Sequence, residues 1–516
     1  MITLEAPLVY RARSSELEFR RSDPPMTQPA WPALPPSPPQ IGFAGNLYSV
    51  DLGSGDKSAS IHRYFNLRSA MQVIPGQGNA RSASSSHIAN VRRSALIVGL
   101  VLHFMNSGAT VEAAEPPAPA PAPEKLQLIT DFFNSEVATG RLPGAVVLIQ
   151  QHGHPVYLKT FGVRDVRTNL PMTLDTMFAL HSMTKPITSL AAMMLVDAGK
   201  LSLDDLVAKY IPSFADIKLG VRRVDAQGKA SLELVRAERP PTVRDLLLQT
   251  SGIAADYVGD WVKKLYSEAH LLDGHFDNAE FAERVARLPL TRQPGTFWRY
   301  GHSTNVLGRV IEIGSGETLY HFMKQRIFDP LGMTHTKFVL DTPEERALKA
   351  EPLPSDTILV DEERTRRAHP EWEAGGSGLV STIVDYARFA QMLLNGGQLD
   401  GKRYLSSTAF EDMTTDHVGP GSGVGHDYFY FPGDGFGFGY GLAVRTGPGD
   451  TNQPGSIGEL KWDSGAGTYV GIDRKLDMLY ILMEQADNER GPVRVTLRKL
   501  VYDAFISKGV ERIEHH

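Results

Sequence analysis

The sequence predicts an α/β sandwich with a helical insertion, and three patterns lead to this fold class. Strand-like alternation occurs near both ends of the folded region, at residues 145–150, 156–161, 441–444, 467–473 and 478–484. Helical periodicity dominates between these strands. Apolar helical stripes at residues 126–137 and 493–505 begin and end the region, and we expect these terminal helices to pack back onto the sheet.

The composition is typical of globular proteins and excludes several classes of function. The chain has 516 residues, 42% of them hydrophobic and 22% charged, which is enough for two or three domains. The formal net charge of -6, with no basic stripe carrying interleaved aromatic residues, argues against a nucleic-acid-binding surface. Because the chain has no cysteine, it has no disulfide, thiol nucleophile, iron-sulfur cluster or cysteine zinc site.

The N-terminal part of the chain reads as a leader rather than as a folded domain. Residues 1–87 are rich in proline and serine and predict a disordered or spurious extension. Residues 88–113 resemble a secretory signal, with an Arg-Arg pair, an apolar run too short for a membrane span, and a small-residue cleavage pattern ending at Ala113. This pattern predicts a periplasmic or secreted protein whose translation starts downstream, with Met71 a candidate. The alternative is an apolar helix of the mature protein.

The folded domain is expected at residues 124–510, after a proline-alanine linker at 114–123, with a helical subdomain at about 216–369. A short helix is predicted from 201 to about 212. Thr242 is the expected N-cap of another helix, with Asp245 in the capping-box position. Further helices are predicted within 255–290 and at 383–394.

The most informative motif is Ser182-x-x-Lys185, which places a hydroxyl and an amine on one helix face. A lysine there can take the serine proton or keep another base ionised, and the helix N-terminus favours an oxyanion. A second copy, from Ser54 to Lys57, lies in a glycine- and serine-rich segment that should not form a helix. Pro186 suits a first helical turn, so the motif stands at the start of a buried helix. The alternative is a plain helix start with exposed polar residues.

Two further stretches have both a chemical and a structural interpretation. Tyr300 precedes a helix with a clear apolar face, so it is either a reactive phenol or an aromatic plug. The aromatic-rich segment 418–441 either walls an apolar pocket or caps the core.

Two other patterns favour structure over ligand binding. His152 and His154 have no further ligand nearby and predict a turn rather than a metal site. The glycine run 375–382 lacks the spacing of a phosphate-binding or dinucleotide-binding loop, so no cofactor is predicted there.

Taken in order, these motifs resemble the serine β-lactamase superfamily of class C-like type, and most closely the family VIII carboxylesterases. The resemblance covers residues 124–508 and rests on Ser182 to Lys185, on 248–252, on Tyr300 with 306–308, on 330–334, on 375–382 with Asp385, and on 461–468. It implies a β-lactamase/transpeptidase-like sandwich, in which helices flank an antiparallel sheet, plus a mostly helical insertion domain.

The resemblance also implies a role for individual residues. Ser182 would be the acylated nucleophile, with Lys185 and Tyr300 as its base system. A charged Lys185 would stabilise the phenolate of Tyr300, and which of the two holds the proton stays open. The oxyanion would accept bonds from the N–H groups of Ser182 and, by register, of Gly465 on the strand after Trp462.

The chain departs from the family pattern at three points, namely the third motif, His302 and Gln249. The third motif, often Lys-Thr-Gly or Trp-Gly-Gly, reads Trp-Asp-Ser at 462–464, and Ser464 would add a side chain along the substrate path. Lys461 does not replace the missing lysine, because adjacent strand residues point to opposite faces. His302 stands where asparagine is common and either contacts substrate or has no role. Gln249 replaces a frequent histidine, which we interpret as a structural change.

The sequence thus predicts a serine hydrolase that cleaves small carboxylic esters through an acyl-enzyme, without metal or cofactor. The missing third-motif lysine favours esters over β-lactams and D-alanyl peptides, whose carboxylate a cation would bind. The alternatives are a β-lactamase, a D-alanyl-D-alanine carboxypeptidase, an amidase or acyltransferase, and a non-catalytic penicillin-binding-like protein. A pure binding protein has no use for the three groups Ser182, Lys185 and Tyr300 together.

Overall fold

The computed structural model describes residues 120–255, 261–272, 276–360, 372–449 and 453–505. The predicted extension at 1–87, the signal-like segment at 88–113 and most of the linker at 114–123 lie outside these residues. Within the described part of the chain, no helix is both long and apolar enough to cross a membrane.

The described strands and helices form an antiparallel sheet and the helices that flank it. The strands are β1 (Gly144–Gln151), β2 (His154–Asp165), β3 (Leu170–Pro171), β4 (Phe178–Ala179), β5 (Lys218–Val224), β6 (Ala230–Arg236), β7 (Val380–Ser381), β8 (Gln398–Leu399), β9 (Lys402–Arg403), β10 (Phe436–Phe438), β11 (Ala443–Arg445), β12 (Leu460–Asp463), β13 (Tyr469–Asp473) and β14 (Met478–Glu484). The α-helices are α1 (Pro123–Ala138), α2 (Thr184–Asp197), α3 (Val243–Leu247), α4 (Lys263–Glu268), α5 (Asn278–Ala286), α6 (Ser303–Ser315), α7 (Leu319–Met323), α8 (Asp329–Leu331), α9 (Pro343–Ala347), α10 (Ile383–Leu394), α11 (Ser407–Met413) and α12 (Arg490–Phe505).

The main sheet joins the two ends of the folded domain. Its strand order is β10-β11-β12-β13-β14-β1-β2-β3, and each described pairing within it is antiparallel. The first strand, β1, pairs along its length with the last, β14, from Ala145 opposite Glu484 to Gln151 opposite Met478. The predicted antiparallel sheet flanked by helices is therefore confirmed.

The central strands are apolar on both faces because helices cover both sides of the sheet. Val146 and Leu148 face the larger core, which contains α2 and the helices of the insertion. Val147 and Ile149 face a second core, to which α1 and α12 contribute. The two terminal helices pack on this second face, as their apolar stripes predict.

The turn between β1 and β2 is also as predicted. His152 and Gly153 have positive φ angles of 51° and 74°, the conformation that a tight two-residue hairpin turn requires. His152 Nδ1 lies 2.7 Å from Asp477 Oδ2, which ties this turn to the one between β13 and β14.

Two predictions for the helical part of the chain were wrong. Residues 201–212 do not form an α-helix but turns followed by the 3₁₀ segment Val207–Lys209. The Asp205 carboxylate there bonds the Ser202 N–H and the Tyr210 hydroxyl, and such local bonds compete with helix formation. In addition, β5 and β6 form a two-stranded hairpin that the helical prediction for 216–369 missed.

The backbone of this turn region instead supports the start of α3. The carbonyls of Leu203 and Asp205 accept the N–H groups of Arg244 and Val243, two donors that a helix N-terminus cannot satisfy itself. The predicted N-cap is confirmed, since Thr242 and Asp245 form a reciprocal capping box. The bounds predicted for α10 and β14 match the structure.

A buried ion pair fixes α12 against the sheet. The guanidinium of Arg498 makes two bonds of 2.5 Å to the carboxylate of Glu459, just before β12. The side chains are 4% and 0% exposed. The hydroxyls of Tyr469 and Tyr480 complete the shell around Arg498.

We expect Arg498→Ala to lower the free energy of unfolding by about 3–5 kcal/mol, because it leaves the Glu459 carboxylate buried without its cation. Denaturant unfolding followed by circular dichroism measures this loss. The control is Lys499→Ala on the exposed side of the same helix, which should have little effect. Equal destabilisation by the two variants would contradict the role given to the ion pair.

Candidate active site

Ser182 lies on a sharp turn between β4 and α2. The 3₁₀ segment His181–Met183 leads directly into α2, with Pro186 in the first turn of that helix. His181 has a φ of 44°, a left-handed conformation that residues other than glycine rarely adopt. This turn leaves Ser182 only partly buried, while its neighbours His181 and Met183 are buried.

Lys185 reaches Ser182 from one turn further along the chain. Its Nζ lies 3.4 Å from Ser182 Oγ and donates a bond of 2.8 Å to the carbonyl of Gly376. The same Nζ lies 4.6 Å from the centre of the Tyr300 ring. Burial disfavours the charged amine and lowers the pKa of Lys185 to about 7.

Tyr300 arrives at the same oxygen from 118 residues away. Its hydroxyl lies 2.7 Å from Ser182 Oγ, a normal distance for a strong hydrogen bond. The structure therefore brings together the three side chains that the sequence singled out as nucleophile and base system. The alternative of a simple aromatic plug does not describe a ring whose hydroxyl points at the Ser182 hydroxyl.

Gln249 holds the backbone on both sides of Tyr300. Its carbonyl accepts the Arg299 N–H at 2.8 Å, and its side-chain oxygen accepts the Gly301 N–H at 3.1 Å. The side-chain amide donates to Thr304 in α6. Sequence reasoning treated Gln249 only as a structural replacement and missed this positioning role, because no local pattern indicates which distant backbone a glutamine will bond.

The glycine run packs against α2 and α6 and does not form an open loop. The Gly376 N–H donates to Asn305 Oδ1, and the Thr188 hydroxyl donates to the Gly375 carbonyl at 2.6 Å. A Cβ at Gly376 would lie 2.5 Å from Asn305 Oδ1, so a side chain would not fit. The glycines allow the close approach that aims the Gly376 carbonyl at Lys185.

His302 lies behind the three side chains rather than on an open surface. It is 5% exposed, and its ring packs edge-on against Phe281 with 5.6 Å between centres. Its Nδ1 lies 3.3 Å from the Asn305 amide nitrogen. Burial, with a smaller contribution from Lys185, lowers the pKa of His302 to about 3, so this imidazole is neutral.

The turn after β12 lies beside Ser182. Thr468 Oγ1 contacts the Leu180 carbonyl at 3.2 Å, two residues before Ser182. Ser464 is buried, and its hydroxyl accepts bonds from the Thr468 hydroxyl and the Ala466 N–H. The Ser464 side chain is thus bonded within its own turn, whereas the sequence led us to expect it along the substrate path.

Two backbone amides near this turn remain open for a ligand. Neither the Ser182 N–H nor the Gly465 N–H donates a hydrogen bond to any residue in the described ranges. The Gly465 carbonyl is held by Arg490 Nη1 at 2.6 Å. This arrangement is compatible with the predicted oxyanion hole.

The residues of β12 alternate as expected. Trp462 is buried with its ring centre 6.0 Å from that of Tyr300. Lys461 points to the other face, where its Nζ lies 4.0 Å from the centre of the Phe436 ring. Burial lowers the pKa of Lys461 to about 8.

The aromatic segment 418–441 both walls the site and caps the core. Phe431 is 42% exposed and packs edge-on against Tyr300, with 4.9 Å between ring centres. Tyr430 and Phe438 pack against Trp298, which stacks on Tyr300. The two alternatives weighed for this segment therefore hold for different residues.

Comparison with known proteins agrees with this fold. The profile of the family described as Beta-lactamase matches residues 129–503. Protein Rv1367c of Mycobacterium tuberculosis is 32% identical over 360 residues, which cover 67% of this chain and 86% of the relative. Esterase EstB of Burkholderia gladioli is 30% identical over 398 residues, covering 72% and 93% of the two chains.

A solved structure of a related protein also agrees with this fold. It is that of EstCE1, described as a hydrolase with promiscuous acyltransferase activity, at 26% identity and a TM-score of 0.61, covering 73% of this chain and 99% of the other. The resemblance drawn from the motifs is thus confirmed.

The buried amine of Lys185 should make stability depend on pH. The pKa of this amine is about 7 in the folded protein and 10.5 in its ordinary state, so between these values the unfolded chain binds a proton that the folded protein lacks. Raising the pH through this window therefore favours folding, by up to about 1.4 kcal/mol per pH unit. We expect urea unfolding to give a smaller rise with pH for Lys185→Met than for the parent.

The control for this measurement is Lys499→Met, which removes an exposed charge from α12 and should keep the slope of the parent. An identical slope for the parent and Lys185→Met would contradict a neutral buried amine.

Proposed function

Because the chain belongs to the Beta-lactamase family, we propose that it is a serine hydrolase that cleaves carboxylic esters through an acyl-enzyme on Ser182. The observation that carries the proposal is the convergence of the Tyr300 hydroxyl and the Lys185 amine on Ser182 Oγ. A serine hydroxyl is a weak nucleophile, and a base within hydrogen-bond reach is what activates it.

In the proposed acylation step, Ser182 Oγ attacks the ester carbonyl carbon while its proton passes to the Lys185 and Tyr300 pair. The carbonyl oxygen becomes an oxyanion, which the N–H groups of Ser182 and Gly465 would bind. Collapse of this intermediate breaks the bond to the alcohol, which takes the proton as it leaves. Water then attacks the acyl-enzyme with the same pair as base, which releases the acid and restores Ser182.

The two base residues are best treated as one titrating pair. With a pKa near 7, Lys185 is neutral in a large fraction of molecules at neutral pH and is able to accept a proton directly. The Tyr300 hydroxyl, at the shorter distance of 2.7 Å, would relay it.

The charges around the site support an ester over a β-lactam. Lys461 faces away from Tyr300, so no lysine from the third motif meets a substrate carboxylate. Arg490 and Arg494, beside the same turn, are already paired with Asp487 and Asp463. A neutral small-molecule ester needs no such cation.

Acyl transfer to an alcohol is the second candidate activity. EstCE1 is described as a hydrolase with promiscuous acyltransferase activity, and an acyl-enzyme gives up its acyl group to either water or alcohol. A β-lactamase, a carboxypeptidase and a non-catalytic binding protein are the remaining alternatives. The location in the periplasm or outside the cell stays a prediction from the signal-like segment at 88–113.

We expect the parent to hydrolyse a short-chain aryl ester faster than a chromogenic cephalosporin, and Ser182→Ala to lose at least about a thousandfold in kcat/KM because the nucleophile is gone. Ser189→Ala makes the same change within α2 and serves as the control. Faster turnover of the cephalosporin would reverse the choice of substrate. Inactivity of the parent on both substrates would favour a binding protein.

We expect kcat/KM for a neutral ester to rise with pH through about 7, because protonated Lys185 cannot accept the serine proton. Tyr300→Phe should lower the rate at least about a hundredfold across the profile. A rate that falls above pH 7 would instead favour a Tyr300 phenolate that depends on charged Lys185. A profile that is flat from about pH 6 to 8 would refute both versions of the base.

A further inference from the structure

His302 is a buried polar residue that has no part in the proposed ester chemistry. Its side chain is 5% exposed, and in the described part of the chain its Nε2 meets no hydrogen-bond partner. The hydrogen bond that the ring makes there is the one between its Nδ1 and the Asn305 amide nitrogen, at 3.3 Å. We propose that His302 is a positioning residue, which acts on Lys185 through Asn305 and the backbone of the glycine run at 375–376.

The side chains of His302 and Asn305 meet at the start of α6. His302 is the residue before the helix, and its carbonyl accepts the Asn305 N–H at 3.0 Å. Side chains three residues apart on a helix are neighbours, so the helix itself brings the ring and the amide together. The Phe281 ring packs edge-on against the imidazole, with 5.6 Å between centres, and limits its rotation.

The direction of each hydrogen bond follows from the Gly376 N–H, which can only donate. Asn305 Oδ1 accepts this N–H, so the NH₂ group of the same amide points to His302. Because the NH₂ group is a donor, Nδ1 of His302 is its acceptor, and the proton of the neutral ring lies on Nε2. A leucine at 302 would remove this acceptor and let the amide rotate away from Gly376.

The peptide between Gly375 and Gly376 transmits this orientation to Lys185. Its N–H is held by Asn305, and its carbonyl accepts the Thr188 hydroxyl at 2.6 Å. The next carbonyl, that of Gly376, accepts a bond of 2.8 Å from the Lys185 Nζ. A hydrogen bond from the amine to a carbonyl favours the protonated amine. Misplacing the carbonyl therefore shifts Lys185 toward its neutral form.

The charges around the amine leave this carbonyl as a fixed polar partner. Among the described residues, no carboxylate near Lys185 offsets the burial of its amine. The titratable side chains beside it are the Tyr300 ring, 4.6 Å from Nζ, and the neutral imidazole of His302. A change in the Gly376 carbonyl should therefore be visible in the protonation of the amine.

The inference rests on the proposed function for its kinetic test, whereas the protonation of Lys185 is measured without turnover. In protein labelled with carbon-13 at the lysine Cε, the Lys185 signal is the one absent from Lys185→Met. We expect its titration midpoint, at about pH 7 in the parent, to move at least about 0.5 lower in His302→Leu. His302→Asn should keep the parent midpoint, since its Oδ1 takes the place of Nδ1 as acceptor.

The kinetic test uses the ester substrate. His302→Leu should lower kcat about tenfold or more and keep KM within about twofold, because the side chain lies behind the site and not against the substrate. The rise of kcat/KM with pH should move in the same direction as the amine titration. Asn305→Leu should give the same changes, and adding His302→Leu to it should cause no further loss, because the two residues act in series.

The control is His417→Leu, which removes a partly buried imidazole that bonds the Asp412 carbonyl and stacks on Tyr440. It should keep the kcat and the Lys185 midpoint of the parent. His302→Gln is a second polar variant, whose amide reaches the position of Nε2 rather than Nδ1, and it should behave as His302→Leu. Rescue by asparagine but not by glutamine is a result that general destabilisation does not produce.

Three outcomes would overturn the proposal: an unchanged Lys185 midpoint in His302→Leu, a His302→Asn variant as impaired as His302→Leu, or additive losses in the double variant. A raised KM with an unchanged kcat would also overturn it and show that His302 contacts substrate. If the parent has no esterase activity, the titration of Lys185 still decides the role of His302. Failure of the proposed function and failure of this inference are therefore distinguishable.

Discussion

The burial of the Lys185 amine is the constraint on which the arrangement of the site depends. Removing an ammonium group from water is costly unless polar partners replace the lost hydration. The Gly376 carbonyl and the Tyr300 ring supply these partners, at 2.8 Å and 4.6 Å. Burial nevertheless dominates and lowers the pKa of the Lys185 amine to about 7, so this lysine is able to exchange a proton near neutral pH.

Each partner of Lys185 is fixed by a different part of the chain. Asn305 and Thr188 hold the glycine run at 375–376, and Gln249 holds the backbone on both sides of Tyr300. The turn after β12 is fixed to the Ser182 segment through Thr468. These bonds are made by buried amides and hydroxyls, and removing one partner leaves the other buried without a hydrogen bond, which destabilises the fold. The site is therefore a product of the whole packed domain rather than of its motif.

The segment 297–300 connects two surfaces with different chemistry. One side presents Tyr300 among aromatic rings, next to a partly exposed serine. The other side presents arginines above aromatic walls. Residues 427–431 border both, since Asp427 and Phe429 line the cavity on the arginine side while Phe431 packs on Tyr300. The two surfaces therefore share the segment 427–431 as a common wall.

The sequence by itself determined the α/β class, the bounds of α10 and β14, the capping box at Thr242, and the choice of Ser182, Lys185 and Tyr300 as candidate site residues. These features depend on local periodicity, on side chains that bond within four residues, or on motifs in a recognisable order. The sequence failed at residues 201–212 and at the β5-β6 hairpin, where local bonds of Asp205 and pairing across a turn outweigh helical periodicity.

Only the tertiary structure decided how the site is held together. Two of its contacts join residues far apart in the chain: Gln249 bonds the backbone beside Tyr300, and Lys185 bonds the Gly376 carbonyl. Two further features depend on packing: the Ser464 hydroxyl bonds within its own turn, and His302 is buried. A sequence pattern records which side chains are present, but the lowered pKa of an amine and the direction of a hydroxyl follow from what surrounds them after folding.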